Sequence, residues 1–142
     1  MRRDDDDGTV LVLVLGFTLI LTLMIGVVVN VSAAALARRS VASAADGAAV
    51  AAAQALDLER LYADGLPDGR IPLSPADAAR RVADYGVVAA AAQPGLVVSV
   101  RVEGSTATVV AVREVRLPFS RLVGLAPLRV QATARARSPV AP

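Results

Sequence analysis

From Gly8 to Ser32 the chain carries no charged residue, and the stretch Thr9 to Val29 is almost continuously apolar. About 21 residues rising ~1.5 Å each make a helix of roughly 31 Å, which matches the hydrocarbon core of a bilayer. That is longer than the ~7–15-residue apolar region of a secretory signal, so the pattern predicts a retained span. Small residues at Ala33-Ala34-Ala35 keep cleavage beyond the span as the alternative. Arg2 and Arg3 lie closer to the apolar run than Arg38 and Arg39 do, which favours an N-terminus on the cytoplasmic side. Within the run, Thr18, Thr22, Gly26 and Asn30 recur every four residues and form one stripe of small or hydrogen-bonding side chains. Such a stripe lets two helices approach closely in lipid; the competing reading is that each Thr bonds back to its own helix.

No proline or turn cluster follows the span until Ala63 to Pro72, so the pattern predicts one helix from about residue 9 to about residue 62. Its outer half is amphipathic. Val41, Ala45, Ala48, Ala52 and Leu56 share one face, and Ser43, Asp46, Val50 and Asp57 another. After the loop 63–73, Ser74 as cap, Pro75 at the first position and Asp77 near the N-terminal end mark a second helix over 74–92. Residues 96–137 then read as strands. Val98, Val100 and Val102 alternate with Ser99, Arg101 and Glu103, and Gly104-Ser105 makes a turn. The next run shifts phase around Arg113-Glu114, where a bulge is expected. In the last run Leu128, Val130, Ala132 and Ala134 face inward, with Arg129, Gln131, Thr133 and Arg135 outward. The expected fold is therefore α+β and pilin-like. A long N-terminal helix, membrane-spanning in its first half and amphipathic in its second, packs with a second helix on a small antiparallel sheet of about three strands.

Composition narrows the chemistry. Hydrophobic residues are 55% of the 142, yet aromatics are only 3%. Ala and Val dominate, so each buried side chain removes little area from water and the core should be thin. The chain has no Cys and no His, and every basic residue is Arg. Thiolate, imidazole and Schiff-base chemistry are thereby excluded. The pI of 9.9 invites a nucleic-acid reading. The net charge is only +2 and base-stacking aromatics are nearly lacking, which argues against nucleic acid as a partner. A tethered hydrolase would have to use Asp46, Asp57, Asp77 or Asp84. Asp77 and Asp84 stand roughly 10 Å apart along a helix and fit a cap and a solvated face better than a catalytic pair. Asp4 to Asp7 read as a solvated charge run rather than a metal site. Arg101, Arg129 and Arg135 fall on the polar strand faces. There they either meet anionic headgroups or cell-wall polymers, or simply keep the sheet soluble.

Several segments together resemble the TadE/TadG-like proteins of Flp (tight adherence) pilus assembly, particularly the short actinobacterial type. They are Asp7-Gly8-Thr9 before the apolar span, the segment RRSVASAADGAAVAAAQAL with its Ala44–Ala49 centre, and LPFSRLVGLAPLRVQATARAR near the end. The resemblance implies a non-enzymatic, cofactor-free membrane component that works with pilus-assembly or pilin subunits. It also implies a candidate processing site at Gly8-Thr9. Processed pilins carry a Glu five residues into the mature chain; here that position is Leu13, which favours an unprocessed assembly role. The expected organisation is a cytoplasmic tail (1–8), a transmembrane helix (9–31) and an exported α+β domain (32–142). The protein would then sit in the cell membrane as a single-pass chain, with the bilayer as one partner and self-association through the span as another. The alternative is a secreted or periplasmic binding module released by cleavage.

Overall fold

The computed structural model describes residues 3–66, 69–120, 124 and 126–139. Met1 and Arg2 of the expected tail, Pro67 and Asp68 of the expected loop, and four residues between the last two strands lie outside the described residues. Three helices, α1 (Arg3–Ala53), α2 (Leu58–Asp64) and α3 (Pro75–Ala92), precede three strands, β1 (Val97–Glu103), β2 (Thr106–Val115) and β3 (Leu128–Arg137). The strands form one antiparallel sheet in the order β1-β2-β3. This is the α+β architecture that the alternation pattern predicts.

The long helix stops earlier than expected. α1 ends at Ala53, and the chain runs extended through Leu56, which bridges to Leu73. Ser74 donates its N–H to the Ala55 carbonyl, and Asp57 donates its N–H to that of Pro72. Asp57 then caps α2, its carboxylate accepting from the Arg60 N–H at 3.0 Å. Gln54 and Ala55 still donate to the Ala51 and Ala52 carbonyls in a last tight turn, and the cap and the tie to the segment before α3 replace the helical bonds beyond them. α3 begins where expected: Ser74 Oγ accepts from the Asp77 N–H and Pro75 opens the helix.

α1 lies across β2 and β3, while α3 packs against α1 and covers β1. Between the layers lie Ala37, Val41, Ala44, Ala45, Ala48, Ala49 and Ala52 of α1 and Ala78 and Val82 of α3, facing Ala107, Val109, Ala111, Val130 and Ala134 of the sheet. Small side chains allow this close helix–sheet approach; the fully buried ones of any size are Leu73, Val41, Val109 and Ser138. Gly104, at φ 59°, opens the two-residue β1–β2 hairpin turn, which demands positive φ at that point. The bulge expected at Arg113-Glu114 does not form. β2 pairs with β3 without interruption from Thr106 to Val115, and Arg113 keeps the inward phase at the sheet's end. There its Nε–H donates to the Pro94 carbonyl, so the charge leaves the apolar layer without breaking register.

Candidate functional site

The feature that sets this molecule apart is the first half of α1, whose large apolar side chains are all exposed. Core burial begins at Ala37. Below it, every large apolar side chain from Val10 to Val31 is exposed, including Leu13, Phe17, Leu21, Met24 and Ile25. A contiguous apolar surface of this length is far beyond the few hundred Å² that a soluble monomer normally shows. The helix is long and apolar enough to cross a membrane, and its most apolar window has no buried residue.

The four stripe residues meet different fates. Thr18 Oγ donates to the Val14 carbonyl and Thr22 Oγ to the Thr18 carbonyl, each at 2.8 Å, so both hydroxyls are satisfied within the helix. Around Gly26 a Cβ would meet nothing within 4 Å, which leaves a flat backbone patch open to a neighbour. Asn30 is engaged by its own chain: its Oδ1 accepts the Phe119 N–H at 3.1 Å, across 89 residues of sequence. Sequence periodicity had no means of showing this, because nothing local to Asn30 signals a loop that arrives from the far end of β2. Gly8 and Thr9, the candidate processing pair, lie inside α1 on its exposed surface.

The carboxylates do not converge. Asp77 pairs with Arg80 on the first turn of α3, and Asp57 pairs with Arg60 at 3.7 Å on α2. Asp46 and Asp84 are exposed on separate helices. Among the described residues no cluster of three or more acids could hold a metal ion. Arg101 and Arg135 face solvent on the outer sheet, flanking Thr108 in one cross-strand row, with Arg137 and Glu103 in the next. Six residues of β2 separate that row from Glu114 and Arg129, about 20 Å along the sheet. Arg129 alone of the three expected contacts therefore stands at the end of the sheet nearer the apolar span.

Gly47, at the centre of the Ala44–Ala49 segment, marks the α1–α3 crossing. A Cβ there would lie 2.7 Å from Tyr85 Cζ and 3.1 Å from its Cε2. The glycine is thus the seat of the tyrosine ring, and the alanines on either side of it form the helix's buried face.

A bare apolar helix that continues into a helix-on-sheet head defines a class of single-helix, membrane-compatible proteins. Within that class, residues 8–55 match the family model of Flp pilus-assembly TadE/G-like proteins. The match covers the exposed span and the α1 face that seats the sheet, ending at the break before α2. No curated protein and no solved structure matches the chain.

Proposed function

We propose that the protein is a membrane-anchored, non-enzymatic component of a Flp/Tad-type pilus or related secretion apparatus. The observation that carries this reading is the uninterrupted passage of one helix from an exposed apolar span into a packed head, over the residues that match the family model. Residues 1–8 form the cytoplasmic tail, 9–31 the transmembrane helix and 32–142 the exported domain of a single-pass protein. Lipid covers the span, while the small-residue surface at Thr18, Thr22 and Gly26 receives a neighbouring transmembrane helix. Its support is that both hydroxyls are internally satisfied and nothing obstructs Gly26, so a second backbone can approach without stranding a polar group. The head acts by protein contact, with other assembly or pilin subunits as partners. Deleting the gene is expected to abolish pili, adhesion or the associated secretion. Wild-type piliation and surface behaviour in the deletion strain would overturn the proposal.

Release by cleavage after Ala35 has one structural point in its favour, since the core begins at Ala37 and would survive the cut. Intact mass of the protein extracted from membranes separates the two. A chain starting at Met1 supports the anchor, and one starting near Leu36 supports a released module.

A further inference from the structure

We infer that the turn between β2 and β3, Leu117 to Ser120, is a second membrane contact that lies in the headgroup region of the bilayer. The inference rests on the proposal that residues 9–31 span the membrane, and it concerns where the head sits relative to the outer end of that span. Asn30 is the first residue past the apolar run, and its Oδ1 holds the Phe119 N–H at 3.1 Å. The turn is therefore pinned at the height where hydrocarbon gives way to headgroups. The buried face of α1 and the whole of α3 stand higher. That face starts at Ala37, seven residues or about 10 Å further along the axis. α3, which crosses α1 at Tyr85 over Gly47, descends only to Ala92, roughly the level of residue 40. Among the described residues the turn thus reaches below both the buried face of α1 and the end of α3.

The chemistry of the turn suits that depth. Ser120 N–H donates to the Leu117 carbonyl at 3.1 Å, closing a β-turn with Pro118 at its second position, and Ser120 Oγ donates to the same carbonyl at 2.7 Å. Pro118 has no N–H, that of Phe119 is held by Asn30 and that of Ser120 by Leu117. Across the tip every backbone donor is accounted for, which lowers the cost of entering a medium of reduced polarity. Pro118 and Phe119 are exposed, Phe119 at 37%, although Ser120 beside it is buried. Arg116 is exposed immediately before the turn. An aromatic ring at the boundary with a guanidinium beside it is the composition that membrane interfaces favour, the ring in the acyl border and the cation among phosphates. With the helix as one attachment and the turn as the other, the head cannot swivel freely. One fixed face of the sheet is then presented to partners.

The chain contains no tryptophan, so single-Trp variants report depth without background. Phe119→Trp, Leu21→Trp and Tyr62→Trp would each be placed in the full chain. Each protein would then be reconstituted into phosphatidylcholine–phosphatidylglycerol vesicles whose acyl chains are brominated either near the headgroup or near the bilayer centre. Leu21 lies mid-span, and Tyr62, 87% exposed on α2, lies far from the membrane. Phe119→Trp should lose emission to the shallow bromolipid, resist aqueous iodide and emit to the blue of Tyr62→Trp. Quenching of Phe119→Trp by iodide as full as that of Tyr62→Trp, with Leu21→Trp quenched by deep bromolipid, would overturn the turn contact and leave the span intact. Absence of bromolipid quenching at Leu21→Trp would overturn the span itself. Should Phe119→Trp not fold, Pro118→Cys carrying an environment-sensitive dye reads the same depth, because the chain has no cysteine of its own.

Discussion

Gly47 shows how a single residue can hold two helices at their working distance. Replacing it with Ala would gain up to about 1 kcal/mol of helix propensity. The same Cβ would collide with a rigid ring, and overpacking of that kind costs about 1–3 kcal/mol. Because the Tyr85 hydroxyl, Cζ and Cε2 all crowd the site, the whole ring must shift, and the collision outweighs the propensity gain. We expect Gly47→Ala to lower the thermal midpoint of the detergent-solubilised chain by a few degrees, about 1 kcal/mol. In a Tyr85→Ala background the sign should reverse, and a double-mutant cycle of thermal unfolding measures the difference. Ser138 is the other residue whose role is out of proportion to its size. It is fully buried; its Oγ donates to the Ile71 carbonyl at 2.6 Å and its N–H to the Ser105 carbonyl at 2.9 Å. Its own carbonyl accepts from Arg70 at 2.7 Å. Ser138→Ala strands the Ile71 carbonyl and should cost about 1–3 kcal/mol in urea unfolding, with an unchanged m-value.

At the scale of elements, α1 is one helix with two solvents. Its lower half leaves its large apolar side chains exposed, while its upper half contributes the largest share of the core from alanines and one valine. The expected continuation to about residue 62 fails at Ala53 because helix propensity competes there with a specific alternative. Asp57 is a strong cap, and the carbonyl of Ala55 and the N–H of Asp57 both find partners beside α3. The Asp57-Leu58-Glu59-Arg60 pattern, with an acid in the first turn, was the available signal for that restart. In the span, Gly26→Leu fills the place on the Thr18–Thr22–Gly26 stripe where a neighbouring backbone has clear access. We expect it to reduce association of the full chain in membranes, read as loss of energy transfer between labelled copies or of crosslinking to a partner subunit. Unchanged association would show that this face meets lipid.

For the whole molecule, the question is how the head is presented. The outer sheet face, with Arg101, Arg135 and Arg137 around Thr108, points away from both helices and, with residues 9–31 in the bilayer as proposed, stands clear of it at the sheet end opposite Asn30. It is thus open to a protein partner instead of to headgroups. Reversing its charge with Arg101→Glu and Arg135→Glu together should leave the midpoint of unfolding within about 0.5 kcal/mol of the parent, as for exposed sites. If the face is a docking surface, the same pair should weaken co-purification with assembly subunits in a salt-sensitive way.

How much of this was written in the one-dimensional pattern differs from feature to feature. The span, the second helix, the three strands and their inward and outward faces are legible because each depends on a local period, 3.6 or 2, and on caps next to it in the chain. The buried face through Val41, Ala45, Ala48 and Ala52 was legible for the same reason. The break at Ala53, the straight register at Arg113 and the roles of Gly47 and Asn30 were not. Each depends on a group brought from far along the chain: Ser74 and Pro72 for the break, Pro94 for Arg113, Tyr85 for Gly47 and Phe119 for Asn30. The sequence by itself determined which surfaces must leave water, since that follows from side-chain polarity and spacing. Only the tertiary structure decided which polar groups and ring faces meet, because a hydrogen bond or a close contact requires two partners whose separation along the chain carries no local mark.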